Sequence, residues 1–289
     1  MRDGLGFRNS YFFKVAKQFN WDFGSKQNCI NKYGDEYAQY CLIKDTTKDP
    51  ITIIIGDSNA NHLYPGLMKT LGNENILNIG RGACPPFLGI DVSIAENSSQ
   101  CAKFMEKTIV LLKEEKINTI IISMMGAGYV TNKRSLNGGF LTLKSLENPE
   151  STDFGIIFET AMRKTLENIT DKNKNIIFVI STPRLDFNPI SCVNIRPLRL
   201  SPHKPRTPCA ITKELFVTSN EQYRNIVFSV LKDFPSVKIF DAAAELCDDK
   251  WCWAMKDGNM LYRDDVHLSV QGSEYIARTL SKLIDPAHK

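Results

Sequence analysis

From residue 50 onward, apolar and polar positions follow a repeating order. Residues 51–55 (ITIII) form an apolar, β-branched run with no polar alternation, which predicts a strand buried on both faces. Polar residues come next, then a helical pattern near 62–71 and a second short strand at 76–79. Residues 101–116 place Phe104, Thr108, Leu111 and Leu112 on one face, as a helix would. A third strand is predicted at 119–123, a helix at 154–170 and a fourth strand at 175–181 (NIIFVIS). A helix at 221–234, a fifth strand at 237–240 (VKIF) and a last helix at 270–283 complete the order. Five two-sided strands alternating with helices predict an α/β protein, a flavodoxin-like three-layer α/β/α sandwich on a five-stranded parallel sheet. The expected strand order is 2-1-3-4-5, with ligands at the carboxyl ends of the strands.

Three stretches fall outside this repeat: 1–49, the Gly- and Asn-rich 126–153, and 182–212, which holds six prolines, a cysteine pair and four arginines. They predict an N-terminal extension packed on a main domain of 50–289, with two insertions on the rim at about 126–153 and 182–212. The 289 residues are 43% hydrophobic and 24% charged, which excludes a disordered or fibrous chain. Lys and Arg number 36 against 32 Asp and Glu, a net charge of +4 spread singly, so no nucleic-acid partner is expected. No apolar stretch approaches the roughly 20 residues of a membrane span, so no transmembrane segment is expected in this chain. Residues 1–9 carry charges and no apolar core, so no signal peptide is expected either.

Eight cysteines stand at 29, 41, 84, 101, 192, 209, 247 and 252, almost all in stretches that read as loops. None has the C-x2-C spacing of a zinc site, so no metal is expected. Reduced cysteines of a cytosolic protein would favour strands and helices, whereas loop positions favour disulfides. Sequence neighbours are the simplest pairing: Cys29–Cys41, Cys84–Cys101, Cys192–Cys209 and Cys247–Cys252. That points to an oxidising compartment. Without an export signal of its own, the chain is expected to be a piece of a longer exported or membrane-anchored protein.

Candidate chemistry sits in two places. Gly56-Asp57-Ser58-Asn59 ends the first strand and opens a helix, so the Ser58 hydroxyl would stand above the sheet and its N–H near a helix N-terminus. Asp57 and Ser58 would equally suit a helix cap. Asp264-Asp265-Val266-His267 precedes the last helix, and an i, i+3 spacing lets one turn bring the Asp264 carboxylate to the His267 ring. The other ring nitrogen is then free to take a serine proton. Of the remaining histidines, His62 follows Ser58 by four residues without an acid beside it, His203 lies in the proline-rich loop and His288 at the end. Both blocks fall on carboxyl-end loops, which strengthens the joint reading.

The G-D-S-N block, the D-x-x-H block and the five-strand frame resemble the SGNH (GDSL-like) hydrolase superfamily. More narrowly, Gly56-Asp57-Ser58 with Ala60, His62, Leu63 and Pro65, Gly82-Ala83-Cys84-Pro85-Pro86, and 246–252 running on through 261–269 to Gly272 resemble the SGNH domain fused to acyltransferase-3 membrane proteins. The resemblance covers roughly 50–284. It implies a periplasmic domain, tethered to the inner membrane, that moves acetyl groups onto a bacterial surface glycan such as lipopolysaccharide O-antigen, lipooligosaccharide or capsule. An upstream acyltransferase-3 membrane domain would deliver the acetyl group, and no cofactor is implied.

By the same resemblance, Ser58 is the nucleophile, His267 the base, Asp264 its orienting acid and Asp57 a brace for the turn. The Ser58 and Gly82 N–H groups would form the oxyanion hole, with Gly80 as the alternative to Gly82. Many superfamily members carry G-x-N-D after the third strand, whereas this chain reads Met124-Met125-Gly126-Ala127-Gly128-Tyr129. Either two backbone donors suffice or another group, such as Asn59, substitutes. Tyr64, Tyr129, Trp251, Trp253 and Tyr262 are candidate faces for stacking on sugar rings. Two other readings accompany acetyl transfer: a carbohydrate acetylesterase with the same serine chemistry, and an inactive glycan-binding domain.

Overall fold

Strands that carry isoleucine on both faces must be covered on both, and the chain places them inside one sheet. The computed structural model describes residues 17–284, apart from 38, 95–96, 132–140, 171–172 and 194–203. The N-terminal segment gives α1 (Gln27–Tyr33) and β1 (Tyr40–Ile43). β2 (Thr52–Gly56) runs into α2 (Ser58–Asn61), α3 (Tyr64–Thr70) and β3 (Ile76–Gly80). Next come β4 (Ile90–Ile94), β5 (Asn97–Ser98), α4 (Cys101–Leu112), β6 (Thr119–Ser123), α5 (Ala127–Val130) and β7 (Leu141–Ser145). α6 (Phe154–Thr170), β8 (Asn175–Ile180), β9 (Ala210–Thr212), α7 (Lys213–Leu231) and β10 (Lys238–Asp241) follow. The described chain ends with α8 (Ala242–Leu246), β11 (Trp251–Trp253), β12 (Met255–Lys256), β13 (Asn259–Met260) and α9 (Val270–Ile284).

The central sheet runs β1-β3-β2-β6-β8-β10, with β3, β2, β6, β8 and β10 parallel. Its five parallel strands have the expected 2-1-3-4-5 order. The sheet has six strands rather than five, because β1 adds antiparallel to β3 in the register Tyr40 with Gly80 and Ile43 with Leu77. An antiparallel edge strand needs no crossover helix, so a search for alternating strands and helices passes over it. Successive isoleucines face opposite layers. Ile53, Ile55, Ile120, Ile122 and Phe178 pack with Phe104, Met105, Phe158, Met162 and Val227 on one side. Ile54, Ile121, Ile177 and Val179 pack with Leu67, Ala243, Ile276 and Leu280 on the other.

All four expected disulfides are present: Cys29–Cys41 joins α1 to β1, Cys84–Cys101 joins the loop after β3 to the start of α4, and Cys192–Cys209 and Cys247–Cys252 clip the later loops. Helix α7 begins at Lys213, well before the predicted 221, because the Thr212 side chain accepts from Leu215 N and caps it. In 126–153 the described residues form α5 and β7, which pairs antiparallel with β4, and in 182–212 they include β9, which pairs with β11. Residues 1–16, His203 and His288 lie outside the described residues. Among the described residues no helix is long and apolar enough to cross a membrane.

Candidate active site

The turn after β2 works because residue 56 has no side chain. Gly56 has φ +148°, and a Cβ there would sit 1.7 Å from the Ser123 carbonyl oxygen, inside the neighbouring strand. Asp57 caps α2, and its buried carboxylate accepts from Asn59 N (2.7 Å), Met125 N (2.9 Å) and the Tyr129 hydroxyl (2.5 Å). Burial pushes the Asp57 pKa up, opposed by those three donors, and pushes the Tyr129 hydroxyl well above its ordinary range, helped by Asp57. Asp57 therefore ties the serine turn to the loop after β6. Ser58 is the first residue of α2, so its N–H has no partner within the helix.

The segment before α9 folds back on itself, with Arg263 N donating to His267 O (3.0 Å). The Asp264 carboxylate accepts from Val266 N (2.9 Å) and His267 N (2.7 Å), which holds the histidine ring against it. His267 Nδ1 lies 2.8 Å from Asp264 Oδ2, and Nε2 lies 2.6 Å from Ser58 Oγ. Burial alone would raise the Asp264 pKa, but hydrogen bonding to His267, its charge and the two backbone donors bring it down to about 2. An ionised Asp264 keeps the proton on Nδ1, so the Nε2 lone pair faces the serine hydroxyl. Asp265 points elsewhere: Arg184 Nε and Nη2 donate to its Oδ2 at 3.1 and 3.0 Å. Buried His62 accepts from Leu268 N through Nδ1 (3.2 Å). Burial, then the His267 and Arg263 charges, holds His62 well below its ordinary pKa and neutral.

Beside this row lies a cleft of about 680 Å³ lined by Gln39, Tyr40, Arg81, Gly82, Ala83, Ile94 and Ser99. Gly82 N donates into it, to the Gln39 side-chain oxygen at 2.6 Å. Asn59 is 2% exposed, and its Nδ2 is enclosed by protein with no hydrogen-bond partner among the described residues. The three tyrosines expected to stack on sugar need correction here. Tyr129 is 2% exposed and engaged with Asp57, Tyr262 is 1% exposed and donates to Pro183 O, and Tyr64 is 7% exposed, so none offers a face to a sugar. Each carries a large apolar ring that the core absorbs, and a loop position does not reveal that. Trp251 and Trp253 are half-buried on β11; Trp253 Nε1 donates to Asp248 Oδ2 (2.7 Å), and the Lys250 ammonium lies 5.4 Å from the Trp251 ring centroid.

Residues that the sequence did not single out also converge here. Arg263 stacks over the Trp21 ring at 4.1 Å, and Trp21 Nε1 donates to Asn61 Oδ1 (3.1 Å). His62 carried a signal, one helical turn beyond Ser58. Trp21, Gln39 and Tyr40 carried none, because they arrive by packing of a remote segment. Among the described residues no cluster of three or more His, Cys, Asp or Glu side chains could hold a metal ion.

A family model described as an SGNH domain fused to AT3 domains matches residues 28–282. The periplasmic domain of a Salmonella ser. Paratyphi A lipopolysaccharide acetyltransferase aligns with TM-score 0.59 and 17% identity, over 97% of this chain and 98% of that one. The C-terminal catalytic domain of Streptococcus pneumoniae peptidoglycan O-acetyltransferase A aligns with TM-score 0.40 and 16% identity, over 82% and 94%. No curated protein matches the chain.

Proposed function

The chain belongs to the family of SGNH domains fused to AT3 domains, and on that footing we propose that it transfers an acetyl group through Ser58 to a hydroxyl of a cell-surface glycan. The glycan is of lipopolysaccharide O-antigen, lipooligosaccharide or capsule type. The observation that carries this reading is the continuous row from Ser58 Oγ through His267 to Asp264, with contacts of 2.6 and 2.8 Å. Ser58 Oγ attacks the acetyl carbonyl while its proton passes to His267 Nε2, and Asp264 stabilises the imidazolium. The leaving group takes that proton, and Ser58 remains acetylated. A sugar hydroxyl then attacks the acetyl carbon, gives its proton to Nε2, and Ser58 recovers it as the acetylated glycan departs.

The family's fusion to AT3 domains supports an upstream acyltransferase-3 membrane domain as the source of the acetyl group and as the tether to the inner membrane. Four disulfides favour an oxidising compartment such as the periplasm. The test incubates the purified domain with an acetyl chromogenic ester and candidate surface glycans. Acetyl transfer should exceed hydrolysis, and Ser58→Ala should abolish turnover with the fold intact. Ser58-dependent hydrolysis without transfer to any glycan would instead make the domain an acetylesterase. Turnover that survives in Ser58→Ala would remove the serine reading, and a fully inactive wild type would leave a glycan-binding domain.

A further inference from the structure

The stretch after β6 lacks the asparagine that would complete an oxyanion hole, and its Met125 N–H is committed to Asp57. Yet the sheet brings another polar group to the same edge. Tyr40 pairs with Gly80 and Gly80 with Gly56, which sets three residues in a row across the carboxyl edge, on strands about 4.8 Å apart. Two of the three have no side chain. A Cβ on Gly80 would lie 2.3 Å from Gly56 O and 3.5 Å from Tyr40 Cδ2, so the tyrosine ring lies over the glycine of β3. The Tyr40 hydroxyl lies 3.9 Å from where a Gly82 Cβ would stand, and it lines the cleft with Gly82. The Ser58 side chain is near enough to act on the Tyr40 hydroxyl, lowering its pKa against burial. Gly82 N donates to the side-chain oxygen of Gln39, a residue that also lines the cleft, so this N–H already holds a carbonyl-type acceptor there.

We propose that the Tyr40 hydroxyl is the third oxyanion donor, beside the Ser58 and Gly82 N–H groups, in place of the missing asparagine. The inference rests on the serine acyl-transfer reading above. Burial, and then the Asp57 carboxylate, push the Tyr40 pKa up against the Arg263 charge and Ser58, which keeps the hydroxyl protonated. When Ser58 Oγ adds to the acetyl carbon, the carbonyl oxygen takes the negative charge and displaces Gln39 from Gly82 N. It then accepts from all three donors, and releases them when the carbonyl reforms.

The test is Tyr40→Phe, which keeps the ring on Gly80. Loss of one donor should lower kcat on the acetyl chromogenic ester by about 10²-fold, with KM changed by less than about threefold. A trifluoromethyl ketone, whose Ser58 adduct carries the same oxyanion, should bind weaker by about the same factor. Unchanged kcat and ketone affinity, or a rise in KM alone, would overturn the proposal. Should Tyr40→Phe misfold, 3-fluorotyrosine at position 40 keeps the hydroxyl and makes it more acidic. The alkaline fall in ketone affinity should then move to lower pH, and an unmoved profile would overturn the proposal. Ser58→Ala runs in parallel: a wild type without Ser58-dependent turnover would overturn the serine reading and this inference with it. An active wild type matched by Tyr40→Phe would overturn the inference alone.

Discussion

Replacing Cys84 and Cys101 together by alanine is expected to lower stability and turnover by amounts that can be measured separately. The two cysteines are 17 residues apart in sequence and fully buried. In the loop-entropy account, closing a loop of that length contributes about 3 kcal/mol. Unfolding entropy near 2.1 cal/mol/K per residue gives about 0.6 kcal/mol/K for 289 residues, so Tm should fall by about 5 °C. The local consequence follows from position. Gly82 stands two residues before Cys84, and without the bridge its loop is held to the start of α4 by the Arg81 side chain on Ser99 O, while Asp91 Oδ1 still caps Cys101 N at 2.8 Å. Those ties should keep the loop folded but let Gly82 N wander, which lowers kcat by about tenfold, short of the 10²–10³ of a donor removed outright. Calorimetry under non-reducing conditions reads the first quantity, and ester turnover at 25 °C, far below melting, reads the second. A Tm within 1 °C of wild type would refute the loop argument. A 5 °C fall with kcat unaltered would refute the positional role.

Turnover should fall on acidification, because a protonated His267 cannot accept the Ser58 proton, and turnover indifferent to acidification would contradict a histidine base. Asp264 does not set that limb, since its folded pKa is depressed from 3.8 to about 2. Its contribution to stability is fully present above about pH 4 and is lost as pH falls toward 2, so Asp264→Asn should flatten the acid-unfolding curve in that window. On activity, Asp264→Asn should lower kcat by about 10³–10⁴. Asp265→Asn should do far less, since it loses only the Arg184 pair; kinetics showing the reverse order would reassign the acid.

Local sequence determined whatever depends on local periodicity and spacing. Unbroken β-branched runs at 51–55 and 119–122 require two apolar layers, so the parallel strands and their flanking helices were legible. So were the disulfides, because each bridges sequence neighbours, and so were Ser58, Asp264 and His267, because a strand-to-helix turn and an i, i+3 turn are short-range geometry. Periodicity says how a residue faces, not what it meets. β1 joined the sheet only because a segment some 40 residues upstream of β3 found its edge, and with it came Tyr40 and Gln39. Tyr129 looked like a rim aromatic until the fold carried it to Asp57, 72 residues away, where burial and a charged acceptor hold it. Tyr262 was likewise drawn inward, to Pro183 O, 79 residues off. The catalytic candidates were legible because their geometry is local; the groups that surround them come from sheet register and core packing between distant segments, which only the tertiary structure decides.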